Sequence, residues 1–148
     1  MFAVDTNVFL YAANKDVPEH SRCNELVSEW RAQATPWFST WNIIYEFLRV
    51  ATHPRVMQRP LTVQDAWSFI ESIREAPSFR MLEHTERHPL VLAEVLKEVP
   101  RVSGNLLFDA HTASLLREHG VRRIVTRDTD FHRFKFLDVV DPLEAERE

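Results

Sequence analysis

Apolar residues follow two rhythms along this chain. Short runs of three or four alternate with longer stretches in which they recur every three or four positions. Phe2-Ala3-Val4 is a short apolar run ending in Asp5, and predicts a buried strand. Residues 7–13 predict a helix, with Thr6 placed as its N-cap. Residues 19–33 put Cys23, Leu26, Val27 and Trp30 on one helical stripe. Pro36-Trp37-Phe38-Ser39 predicts a second strand. Residues 41–51 predict a helix with Ile44, Phe47, Leu48 and Ala51 on one face, and Pro54 and Pro60 bracket the loop after it.

Thr62 is placed to cap a helix running to Arg74, with Trp67, Ile70 and Ile73 at period three. Residues 79–82 predict a third strand, and Pro89 suits the first turn of a helix through Val99. Asn105 is placed to cap a helix over residues 106–119, ended by Gly120 at C′. Residues 124–126 and 137–140 complete the strands. Strands alternate with helices throughout. That is the pattern of an α/β fold with a parallel sheet of about five strands and helices on both faces. No repeat, low-complexity segment or linker interrupts it, so residues 1–148 read as one domain.

Composition narrows the chemistry. A chain of 148 residues buries roughly 68–70% of its unfolded surface, enough to fold without staples. Its two glycines, Gly104 and Gly120, cannot form a glycine-rich phosphate loop. The single cysteine, Cys23, excludes an internal disulfide and a cysteine-based zinc site, and fits a reducing compartment. The opening Met1-Phe2-Ala3-Val4-Asp5 has neither the basic nor the apolar region of a signal peptide. The longest uncharged stretch, residues 32–45, is broken by Pro36, so no membrane span is expected. A cytoplasmic location follows as the expectation.

The net charge of −4 is not that of an obvious nucleic-acid binder, but its distribution is uneven. Between Glu46 and Asp65 the only charges are Arg49, Arg55 and Arg59. From Arg122 to Lys135 there are five cations, Arg127 and Arg133 among them, against Asp128 and Asp130. From about residue 138 the tail is acidic: Asp138, Asp141, Glu144, Glu146 and Glu148 face Arg147 alone.

Four acids fall where such a sheet puts its chemistry. Asp5 ends the first strand and Asp128 comes two residues after the fourth. Ligand sites in open α/β sheets lie outside the carboxyl ends of the strands. Asp109 sits in the first turns of its helix, pointing back towards those ends. Glu46 is offset from the apolar face of its own helix. Each acid alone also fits a bland role: a cap, an Asx turn, a macrodipole partner or a solvated charge. Together they create repulsion that protonation or a cation must relieve. Mg²⁺ or Mn²⁺ suits oxygen ligands. No histidine or cysteine pair along the chain suggests the softer ligands zinc prefers.

Asp5-Thr6-Asn7, Glu46, Asp109-Ala110 and Thr126-Arg127-Asp128-Thr129-Asp130-Phe131 together resemble the PIN-domain nucleases. Within them the chain is similar to the VapC toxins of bacterial toxin–antitoxin pairs, from the first residues to Pro142. The resemblance implies a Mg²⁺- or Mn²⁺-dependent endoribonuclease, a homodimer, and a small cognate antitoxin. Asp5, Glu46, Asp109 and Asp128 match the acidic quartet, and Asp130 an accessory acid. Asp5 and Asp109 are the first choices as metal ligands. Asp128 would share the metal or orient its water, and Glu46 would bind a second metal or act as general base. Thr6 and Thr126 would hold carboxylates through their hydroxyls, with core-facing strand and cap roles standing equally beside that one.

Arg49, Arg55, Arg59 and Arg127 are candidates for RNA backbone, with solvated charge as the plainer role. Trp37, Phe38 and Trp41 would stack bases or fill the core, and His111 and His132 stand as alternative bases. The stripes Leu26–Val27–Trp30 and Trp67–Ile70–Ile73 either line an antitoxin groove or pack inside. Three other functions compete: a receiver-like site, a phosphatase-like site and a catalytically silent RNA-binding or regulatory module. Asn7 stands where haloacid-dehalogenase-like phosphatases need an aspartate, and Lys135 is poorly placed for a receiver.

Overall fold

A computed structural model describes residues 1–144; Glu146, Arg147 and Glu148 of the acidic tail lie outside the described residues. Five strands, β1 (Phe2–Val4), β2 (Trp37–Thr40), β3 (Phe79–Leu82), β4 (Arg123–Val125) and β5 (Asp138–Val140), form one sheet. Its order is β3-β2-β1-β4-β5, and every pairing is parallel. The chain steps outward from β1 in one direction, then returns to build β4 and β5 on the other side. The strand order therefore reverses between β1 and β4, the place where open α/β sheets bind ligands.

The helices are α1 (Thr6–Ala13), α2 (His20–Ala32), α3 (Trp41–Ala51), α4 (Val63–Arg74), α5 (His88–Glu98) and α6 (Leu106–Glu118). A short 3₁₀ turn, Thr129–Arg133, follows β4. Alternation along the strands divides the core in two. Val4, Trp37, Phe79 and Val125 pack with α1 to α4. Ala3, Leu82 and Ile124 pack with α5 and α6. Helices thus cover both faces, as the periodicity predicts.

Three local details differ from expectation or refine it. Thr62 does cap α4, its hydroxyl accepting from the Asp65 amide at 3.1 Å. Thr6 is not the cap of α1: Asp5 holds that position, and Thr6 is the first helical residue. Asn105 occupies the cap of α6 but makes no side-chain capping bond, because its backbone is helical (φ −62°, ψ −24°) rather than extended. Gly120 follows α6 with φ +68°, the left-handed conformation that ends a helix without a Cβ penalty. Among the described residues no helix is long and apolar enough to cross a membrane.

Candidate functional site

The centre of the site is a side-chain knot at the strand-order reversal. The Asp5 amide donates to the Val125 carbonyl at 3.1 Å, tying the end of β1 to β4. The Thr126 hydroxyl donates to Asp5 Oδ2 at 2.7 Å. Thr126 Oγ1 in turn accepts from Asn7 Nδ2 at 2.9 Å and from the Asp128 amide at 2.9 Å. Asn7 Nδ2 also donates to Asp5 Oδ2 at 3.1 Å, while Asn7 Oδ1 accepts from the Arg127 amide at 3.1 Å. Thr126 and Asn7 therefore aim Asp5 and fix the loop that carries Asp128. Thr6, turned away from a capping role, donates from its hydroxyl to Glu46 Oε2 at 3.0 Å. Both threonine hydroxyls thus donate to carboxylates.

Around this knot the acids converge. Asp109, Asp128 and Asp130 each bring a carboxylate oxygen within 4.8 Å of the others. Asp128 Oδ1 accepts from the Asp130 amide at 2.9 Å, so the Asx turn and the acidic site are one structure. Asp130, expected at the margin, stands in the tightest group. Burial pushes the Asp5 carboxyl up to about 6, with Glu46 and Asp128 adding to the rise and the Thr126 hydrogen bond opposing it. Burial, then the charges of Asp128, Asp5, Asp130 and Glu46, push Asp109 up to about 7. The donor set is all oxygen and its ionisation is costly, which suits a hard divalent cation.

A cleft of about 610 Å³ opens beside these acids, and Glu46, Arg49, Asp109, Asp128 and Asp130 line it. Asn42, Tyr45, Asn105 and Phe108 complete its wall. Sequence reasoning missed the two aromatics, although Tyr45 is 69% and Phe108 62% exposed. Their signal was a large aromatic next to a catalytic-looking acid on each helix. Trp37 is buried in the core, its Nε1 donating to Ser78 Oγ at 3.1 Å, so it cannot stack on RNA. Trp41 packs against the first core with the Arg74 guanidinium 5.5 Å from its ring centre, and Phe38 against the second.

The cations divide. Arg49 lines the cleft and Arg55 is exposed. Arg59, which has no acid near it in sequence, is ion-paired with Asp16, its Nε 3.0 Å from Oδ2. Arg127 lies between Glu19 and Asp141, 3.3 Å from each. The expected apolar groove is absent from the stripes named for it. Leu26, Val27, Trp30, Ile70 and Ile73 are core residues, and only Trp67 is partly exposed. A sheet face covered by four helices uses both stripes internally.

The histidines also depart from expectation. His84, His88 and His111 come together, and one ring nitrogen of each lies within 4.8 Å of the others. Burial and then the neighbouring His84 and His88 lower the His111 pKa.

A parallel α/β sheet with a carboxylate cluster at its strand-order reversal defines a class of open-sheet proteins with an acidic cleft at the strand ends. The PIN domain family matches residues 2–137, and the chain belongs to that family. Ribonuclease VapC48 of Mycobacterium tuberculosis is 32% identical over 142 residues, 95% of this chain and 97% of that protein. Among solved structures, M. tuberculosis VapC20, described as a sarcin–ricin loop cleaving toxin, shares the fold at a TM-score of 0.67. Its identity is 17%, over 95% of this chain and 100% of that one. The VapBC2 structure from Rickettsia felis, bound to a DNA fragment from its promoter, matches at a TM-score of 0.64 and 16% identity, over 93% and 96%.

Proposed function

We propose that this protein is a Mg²⁺- or Mn²⁺-dependent endoribonuclease, the toxin half of a cytoplasmic toxin–antitoxin pair. The carrying observation is the convergence of Asp109, Asp128 and Asp130, with Asp5 and Asp109 pushed up to about 6 and 7. Family membership supports the same reading. Asp5, Asp109 and Asp128, with Asp130 beside them, would hold the cation. When bound, it neutralises charge on the phosphodiester and lowers the pKa of water.

The chain's own groups supply the rest. Thr126 and Asn7 orient Asp5. Glu46, held by Thr6, takes the proton of the attacking water. Arg49 meets a backbone phosphate, and Tyr45 and Phe108 stack bases at the rim. The water oxygen bonds to phosphorus, the bond to O3′ breaks, and the departing O3′ takes a proton from solvent. The products carry a 5′-phosphate and a 3′-hydroxyl, and the RNA 2′-hydroxyl takes no part. A small antitoxin with apolar side chains and a basic residue fits the same rim, where Tyr45 and Phe108 are exposed beside concentrated negative charge. Two copies of the chain form the working unit.

The test is cleavage of total RNA with Mg²⁺, with Mn²⁺ and with chelator, by wild type and by Asp5→Asn. We expect metal-dependent cleavage by wild type alone, with ends digestible by a 5′-phosphate-dependent exonuclease. Cleavage that survives chelation or the Asp5→Asn change, or that leaves 2′,3′-cyclic phosphates, overturns the reading. Co-expression with the neighbouring small partner is expected to give an inactive complex.

A further inference from the structure

We propose that His84, His88 and His111 form a second metal site, for a borderline-soft divalent cation of the zinc class, separate from the acidic cleft. Three elements converge to make it. His84 stands two residues beyond β3, His88 opens α5, and His111 lies on α6. The Nε2 atoms of His84 and His111 are 2.6 Å apart. The ring of His88 is centred 4.1 Å from that of His84 and 5.6 Å from that of His111. Tetrahedral zinc with bonds of about 2.0–2.1 Å needs its nitrogens about 3.3 Å apart. A cluster spanning 4.8 Å reaches that with small ring rotations, and the exposed His84 ring has solvent on one side to turn into.

The support behind the histidines is built for a ligand. Glu118, whose side chain is fully buried, lies with Oε2 2.7 Å from His88 Nδ1. Its other oxygen accepts from the Thr85 amide at 2.9 Å and the Thr85 hydroxyl at 2.7 Å. A carboxylate locked in this way keeps the proton on Nδ1 and leaves Nε2 of His88 as the free ligand atom. Carboxylate–histidine pairs of this kind orient metal-bound imidazoles.

The two sites sort cations by ligand type. Imidazoles favour zinc, nickel, cobalt and copper, whereas carboxylates favour magnesium and manganese. A separate cavity of about 340 Å³, lined by Trp41, Asn42, Leu82, His84 and His111, leaves room for water at a fourth position. Asn42 lines this cavity and the acidic cleft, and its Nδ2 donates to Thr112 Oγ1 at 2.9 Å, bracing α3 against α6 as the wall between them. A cation on the histidines would tie the β3–α5 connection to α6, the helix that carries Asp109.

The test uses tag-free full-length protein, freed of metal by chelation and kept in excess Mg²⁺ to occupy the acids. Titration with Co²⁺ is read by visible absorption, and titration with Zn²⁺ by calorimetry and thermal melting. We expect one equivalent of Co²⁺ with the bands of a nitrogen-ligated tetrahedral ion, displaced by Zn²⁺. His84→Ala and His111→Ala, checked for folding by circular dichroism, should each weaken Zn²⁺ binding by at least the roughly 10–100-fold that loss of an outer-shell partner costs. They should also remove the rise in melting temperature. Asp109→Asn should bind Zn²⁺ as wild type does. Zn²⁺ affinity unchanged in the double variant His84→Ala/His111→Ala, or lost in Asp109→Asn, overturns the proposal. Neither result depends on nuclease activity.

Discussion

Asp109→Asn is expected to abolish RNA cleavage and yet stabilise the metal-free protein at pH 8. Burial, then Asp128, Asp5, Asp130 and Glu46, raise the Asp109 carboxyl from 3.8 to about 7. Such a rise corresponds to about 4 kcal/mol of added ionisation cost. Asp109 is only half-buried, so solvent screening leaves about 1–2 kcal/mol. Against this, a negative charge in the first turn of α6 gains about 0.3–1 kcal/mol from the helix dipole. Repulsion outweighs the dipole, and the variant should gain roughly 1 kcal/mol, or about 2–5 °C in melting temperature.

The pH dependence has a definite sign. A carboxyl whose pKa is higher in the folded protein binds protons more tightly there. Wild type therefore loses stability as pH rises from the unfolded value near 3.8 through about 7. The advantage of asparagine should be absent near pH 4, grow through this window and be complete at pH 8. Melting curves with chelator at both pH values measure it. Adding Mg²⁺ should then raise wild type more than the variant. A lower melting temperature for Asp109→Asn at pH 8 in chelator refutes the reasoning, as does a difference of equal size at pH 4.

Thr126→Val removes the hydroxyl shared by Asp5, Asn7 and the Asp128 amide. It should cost about 1–3 kcal/mol and lower kcat/KM by about 10–100-fold, with Thr126→Ser recovering much of both. Steady-state cleavage and urea unfolding test this together. Arg49→Gln and Arg55→Gln should each reduce the salt slope of RNA binding by about 1 in a filter-binding series. Arg59→Gln and Arg127→Gln should leave that slope unchanged, because Asp16, Glu19 and Asp141 already occupy those guanidinium groups. Trp30→Ala should cost about 3–5 kcal/mol in urea unfolding, as a core truncation. Trp67→Ala should lose roughly 0.5–1 kcal/mol, from its partly exposed contact with Arg74.

What the sequence reveals and what it hides follow different physics. The elements were legible because burial imposes a period: Phe47 and Ala51 face inward one helical turn apart, and Ala3 and Val4 face opposite sides of β1. Asp5 and Asp128 were legible because they follow β1 and β4, neighbours in the sheet where the strand order reverses. Partners brought together by packing were not. Asn7 meets Thr126 across 119 residues and Arg59 meets Asp16 across 43, and no local pattern encodes either meeting. The histidine cluster is the sharpest case. His84 and His88 are four apart but straddle the end of a loop and the start of a helix, and His111 arrives only because α5 packs on α6. Counting nearby histidines along the chain could not find them. The same packing sets Glu118 behind His88 and Asp109 at the acidic cleft, so one helix, α6, supplies a group to each cluster. A shift in the seating of α6 against α3 and α5 would therefore move both sites together.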